Sequence, residues 1–194
     1  NRAMPEPRDL PEAPPAAAPA ATHVSLDTHR ADHLGFLESA ERLRTPTLDR
    51  LASEGVAFLN VTSSANNTTP SHVALMTGQT ARETKLIANA MRLSDAAATL
   101  AEAFADNGYV TLAAVSALPL FEPVTNLGQG FDRYAMPAQA NKRDGARTLE
   151  DMLAALDAYA DQPFFAWLHV YDPHAPYDPP PKLERLYYDA DRDP

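Results

Sequence analysis

Cysteine is missing from all 194 residues. Disulfide staples, thiolate zinc sites and cysteine nucleophiles are thereby excluded, although the absence says little about compartment. Positive charge is scarce as well: 16 Lys and Arg face 26 Asp and Glu, for a net charge of -10 at pH 7. That balance argues against a nucleic-acid or anionic-membrane partner, because phosphate-rich surfaces select basic ones. An anionic substrate would have to be drawn in by a local positive site, such as a metal ion, against the field of the whole chain. No apolar run approaches the roughly 20 residues needed to span a bilayer, and there is no internal repeat. The first residue is Asn, so a signal or anchor ahead of it is out of view. What is present is ordinary for one globular domain: 45% hydrophobic and 22% charged residues, enough for one real core but not two.

Residues 1–22 are rich in Pro, Ala and Glu and carry almost no large apolar side chains. Such a stretch cannot bury enough surface to offset backbone ordering, so it is expected to be a flexible but extended linker. Linkers of this kind often follow a signal peptide or membrane anchor, which points to a periplasmic, secreted or membrane-tethered protein; a plain chain boundary is the bland alternative. From residue 23 onward, strand and helix signals alternate. Strands are predicted over His23–Leu26, Val56–Val61, Tyr109–Val115 and the nearly continuous apolar run Pro163–Val170. Thr45-Pro46 with Gly55 marks a helix by its N-cap, first-turn proline and glycine stop. Further helices are predicted over Ser71–Met76, closing at Gly78, and over Ser94–Asn107 with Ala97, Leu100, Ala101 and Phe104 inward. A last helix is expected over Thr148–Tyr159, beginning there or a few residues earlier, with Leu149, Leu153 and Leu156 inward. The alternation implies an α/β layer fold with a mostly parallel sheet sandwiched by helices. In such sheets, ligand sites gather at the C-terminal ends of the strands.

Three candidate positions fall there. Asp27 follows the first strand, and His174 follows the last. Between them, Asn67–Gly78 reads as a hydroxyl-bearing turn leading into a helix. A hydroxyl at a helix N-terminus sits where backbone N–H groups and the dipole favour an anion. A nucleophile beside a metal-binding carboxylate is the minimum equipment for attacking a phosphate or sulfate ester. His174, flanked by Pro173 and Pro176, suits acid catalysis, because an unperturbed imidazole titrates near pH ~6.5. Each residue also has a structural alternative. Asp27 could cap the turn after its strand, Thr68 could be an N-cap, and Thr69 and Ser71 are rival hydroxyls. His72 could be an ordinary helix side chain, and His174 a packed loop histidine.

Ser25–Gly35, Thr45–Phe58, Thr69–Gly78, Ser94–Tyr109, Gly130–Asp132 and Leu168–Tyr177, taken in order, resemble the N-terminal half of the sulfatase family, within the alkaline phosphatase superfamily. The resemblance implies that Asp27 is a metal-binding aspartate of the first strand. It also implies that Thr68 occupies the nucleophile and metal-contacting position of the Cys/Ser-x-Pro-Ser-Arg signature. His72 then replaces the signature arginine, as anion contact or nucleophile positioner, and His174 protonates the leaving group. The implied cofactor is one or two divalent ions (Ca, Zn or Mn), and the implied partner is a small-molecule or glycan sulfate or phosphate ester. Three departures qualify this. Thr28 stands where the family commonly has a second acidic ligand. Threonine bears a β-methyl, so oxidation would give a ketone and the formylglycine route is closed. The family's Asp-His pair before a glycine has no counterpart after residue 174, so only the N-terminal half of the fold is expected. The leading reading is thus a metal-dependent ester hydrolase with a Thr nucleophile. The alternatives are an envelope phosphotransferase, of phosphoethanolamine or glycerophosphate type, and a non-catalytic remnant.

Overall fold

The apolar runs become the sheet. The computed structural model describes residues 19–37, 44–138, 143–184 and 186–187. Among them four strands form: β1 (Ala21–Leu26), β2 (Val110–Val115), β3 (Arg133–Ala135) and β4 (Phe164–Val170). Their spatial order is β1-β4-β2-β3. β2 runs parallel to both neighbours, with Leu112 opposite Ala166 and Arg133, and Ala113 opposite Trp167 and Tyr134. β2 is buried along its whole length, which is why its sequence shows no alternation. The expected α/β fold with a mostly parallel sheet is therefore the one observed.

Six α-helices accompany the sheet among the described residues: α1 (Pro46–Glu54), α2 (Thr68–Thr77), α3 (Ala81–Thr84), α4 (Leu100–Asp106), α5 (Glu122–Thr125) and α6 (Gly145–Asp157). The chain divides into two compact units. One holds the described residues up to Ser25 together with 63–171, and the other holds 26–62 with the described residues from 172. In the first unit, side-chain parity sorts the sheet into two faces. Val110, Leu112, Ala114 and Ala166 pack with Met152 of α6. Ala113, Val115 and Trp167 pack with Val73 and Met76 of α2 on the opposite face. Trp167 is fully buried, and a side chain of that size contributes upward of ~3 kcal/mol by leaving water.

Several sequence expectations are corrected. No strand forms over Val56–Val61; that segment is irregular, with Val56, Phe58, Leu59 and Val61 each 69–80% exposed. Strand propensity is a fit to a pleated, half-buried surface, and without a ladder partner the apolar composition has nothing to act on. The helix predicted over Ser94–Asn107 begins only at Leu100. Thr99 caps it, accepting from the Glu102 N–H while the Glu102 carboxylate accepts from the Thr99 N–H. Leu100 is consequently half exposed, while Ala101 is buried. The last helix is rotated slightly from its predicted face, with Leu156 inward as expected but Leu149 and Leu153 turned out. Thr148 and Met152 are buried, and Leu149 and Leu153 are exposed. Arg143 sets that rotation by donating to Thr148 Oγ1, pairing with Asp151 and reaching the Val115 carbonyl. Of the predicted linker, residues 1–18 lie outside the described residues, and Ala21 and Thr22 belong to β1.

Candidate functional site

In the sheet unit, the predicted Thr68 and His72 and the rival hydroxyls of Thr69 and Ser71 lie at the start of α2. The helix begins three residues before the predicted start, so Asn67 is the N-cap and Thr68 the first helical residue. Gly78 closes it in the left-handed region (φ 67), which a glycine reaches without steric cost. The early start changes the expected anion seat. The Thr69 N–H donates to Asn89 Oδ1 at 2.9 Å, Pro70 has none, and the Ser71 N–H goes to the Asn67 carbonyl. The seat expected at a helix starting near Ser71 is thus moved to Thr68 and narrowed. The helix dipole remains, but most of its first-turn donors are committed.

The rival hydroxyls are committed too. Thr69, fully buried, donates its hydroxyl proton to the Pro119 carbonyl at 2.5 Å, and Ser71 donates to the Thr68 carbonyl at 3.0 Å. Both are structural pins of the turn. His72, one turn into α2 and 8% exposed, reaches back with Nδ1 to the Thr68 carbonyl at 2.8 Å. Its Nε2 lies 3.3 Å from Ser25 Oγ, which in turn accepts from Trp167 Nε1 at 3.1 Å. The His72 ring stands edge-on to buried His169, with centroids 5.0 Å apart, and tilted over Trp167 at 5.6 Å. His72 is therefore no ordinary surface side chain.

The second unit carries Asp27 and His174. Asp27, 8% exposed, directly follows β1. The next residue, Thr28, adopts φ 54, a conformation that a β-branched side chain rarely takes and that costs on the order of 1–3 kcal/mol. The Thr28 hydroxyl donates to the Pro173 carbonyl at 3.3 Å, tying the Asp27 turn to the loop that bears His174. His174 donates through Nδ1 to the neighbouring Ala175 carbonyl at 2.7 Å, since a carbonyl can only accept. Nearby in sequence, Arg30 grips Asp32 with two nitrogens, at 2.9 and 2.6 Å. Hydrogen bonds from Arg30, then from His33, hold the Asp32 carboxyl well below the usual carboxylate range. Both partners are exposed, so this is a local surface pair.

Thus Asp27 and His174 share one unit, while Thr68 and His72 share the other. Among the described residues, no three or more His, Asp or Glu side chains gather closely enough to hold an ion. Sequence reasoning missed Ser25, Asn89 and Trp167 as parts of the Thr68 surroundings. The only available signal was the chain's single tryptophan, set within an otherwise aliphatic and phenylalanine-rich run.

Comparison with known proteins places this geometry in context. Among curated proteins, none matches the chain. Among solved structures, the chain is similar to the phosphonate monoester hydrolase of Agrobacterium radiobacter, with a TM-score of 0.72 at 20% identity, covering 87% of this chain and 44% of that one. It is also similar to the phosphonate monoester hydrolase of Silicibacter pomeroyi, with a TM-score of 0.71 at 21% identity, covering 91% and 45%. A third likeness is to a protein solved in complex with its substrate D-glucosamine-2-N,6-O-disulfate, with a TM-score of 0.72 at 20% identity, covering 85% and 36%. The chain thus spans less than half the length of these structures, which share its fold. The family model described as Sulfatase matches residues 21–193, nearly the whole described chain, and the protein belongs to the sulfatase family.

Proposed function

We propose that this chain carries the nucleophile-bearing part of a sulfatase-family hydrolase acting on a sulfate or phosphate ester. The observation that carries the reading is the Sulfatase family match over residues 21–193, with Thr68 opening α2. Thr69 and Ser71 donate their hydroxyl protons to main-chain carbonyls, and Thr68, the first residue of α2, is the one that the resemblance puts at the family's signature position. In this reading the Thr68 hydroxyl loses its proton to solvent water as its oxygen bonds to sulfur or phosphorus, and the bond from that atom to the ester oxygen breaks. Water then hydrolyses the Thr68 ester to release sulfate or phosphate and restore the hydroxyl. His174 supplies the departing proton from Nε2, because its Nδ1 proton is engaged by the Ala175 carbonyl. A divalent ion, when bound, would lower the pKa of the Thr68 hydroxyl and neutralise the anionic oxygens. Asp27 and the Thr68 oxygen are the ligands this chain would offer to it. The extracytoplasmic location and an upstream membrane tether belong to the same proposal and are supported by the composition of residues 1–22.

The test is Thr68→Ala, assayed on an aryl sulfate, a phosphodiester and a phosphonate monoester, with bound metal counted in parallel. Turnover should fall below detection while metal content stays at the wild-type level. Unchanged turnover would remove Thr68 from the chemistry, and loss of metal together with turnover would make it a ligand first. Whether water or an added alcohol takes the transferred group separates a hydrolase from a phosphotransferase.

A further inference from the structure

The main-chain carbonyl of Thr68 is held from one side by a chain of hydrogen bonds whose direction can be assigned atom by atom. A carbonyl only accepts, so the 2.8 Å contact places a proton on His72 Nδ1. At the other end, the indole N–H of Trp167 only donates, so Ser25 Oγ accepts from it at 3.1 Å. The Ser25 hydroxyl proton is then available to point at His72 Nε2, 3.3 Å away, which accepts it in the Nδ1–H tautomer. Every donor in the series Trp167, Ser25, His72 meets an acceptor, and the series ends on Thr68. The buried Trp167 and His169 rings wall the imidazole on two sides, which limits its rotation.

We propose that Trp167, Ser25 and His72 form a positioning relay that fixes the Thr68 main chain and hence the direction in which the Thr68 hydroxyl is presented. The inference rests on the reading of Thr68 as nucleophile. His72 and Ser25 are positioning residues here, since they act through the Thr68 backbone.

Two readouts test it. Trp167 is the sole tryptophan, so its indole N–H gives a single side-chain resonance in a 1H–15N spectrum. Ser25→Ala removes its acceptor and should move that resonance upfield and speed its exchange with solvent. An unmoved resonance in folded Ser25→Ala protein overturns the relay. In turnover of a sulfate or phosphate ester, His72→Ala should lower kcat by about 10-fold or more, the scale of a sub-ångström misplacement of a reacting group, with KM nearly constant. His72→Asn, whose amide nitrogen stands in for Nδ1–H, should recover most of the loss. Wild-type kcat in His72→Ala, or no recovery in His72→Asn, overturns the proposal. If Thr68→Ala itself retains turnover, the nucleophile reading falls, and the relay stands or falls on the indole resonance alone.

Discussion

His23 is the clearest case of one side chain setting a property of the protein. It lies on β1 with Nε2 sealed from solvent and without a hydrogen-bond partner. Burial lowers its pKa below the ordinary 6.5, because the charged form loses water and gains nothing. The unfolded chain therefore binds the proton first as pH falls, and stability that is full above about pH 7 drains away through and below pH ~6.5. His23→Gln should flatten that slope. Urea midpoints measured at about pH 7.5 and 5.5 should converge in the variant relative to wild type, and an identical acid loss in both proteins would show that His23 does not titrate across unfolding. At the same scale, the positions of Asp27 just after β1 and of Thr68 at the start of α2 were legible from motif and place in the chain. Ser25 and Trp167 were not, because their contact joins residues 142 positions apart and no local pattern records it.

Among the elements, the turn before β3 shows how closely a helix end and a loop are fitted. Gly130 adopts φ +85, and a Cβ there would lie 2.5 Å from the Glu102 N–H nitrogen at the start of α4. The same stretch receives Thr111 Oγ1 on the Gly130 carbonyl and Thr99 Oγ1 on the Gln129 carbonyl. Gly130→Ala should cost about 1–3 kcal/mol, from backbone strain and overpacking together, seen as a lower urea midpoint at constant m-value. A cost within about 0.5 kcal/mol would mean that the turn relaxes freely. Element type was easy to read where burial is two-sided, as in β2 and β4, because a continuous apolar run is hard to misplace. Helix faces were harder. Leu149 and Leu153 lie one residue of rotation from Thr148 and Met152, which are the ones buried, while Leu156 packs inward as predicted. Arg143, a tertiary contact, decides between them. Val56–Val61 misled for the related reason that strand composition needs a partner strand to become a strand.

For the molecule as a whole, a net charge of -10 opposes the approach of any anionic ester. Salt shortens the reach of that repulsion, from about 20–30 Å near 20 mM to under 10 Å above 0.1 M. On the proposed activity, kcat/KM for an anionic substrate should rise a few-fold (roughly) between about 20 and 300 mM KCl, chiefly through faster encounter. A fall over that range would mean that a local positive site governs encounter instead. The sheet order β1-β4-β2-β3 has a temporal consequence. β1 is synthesised well before its neighbour in the sheet, which is assembled from residues 164–170. Until residues 164–170 have emerged, the Ser25 hydroxyl has no indole to meet and β1 has no ladder partner on that side.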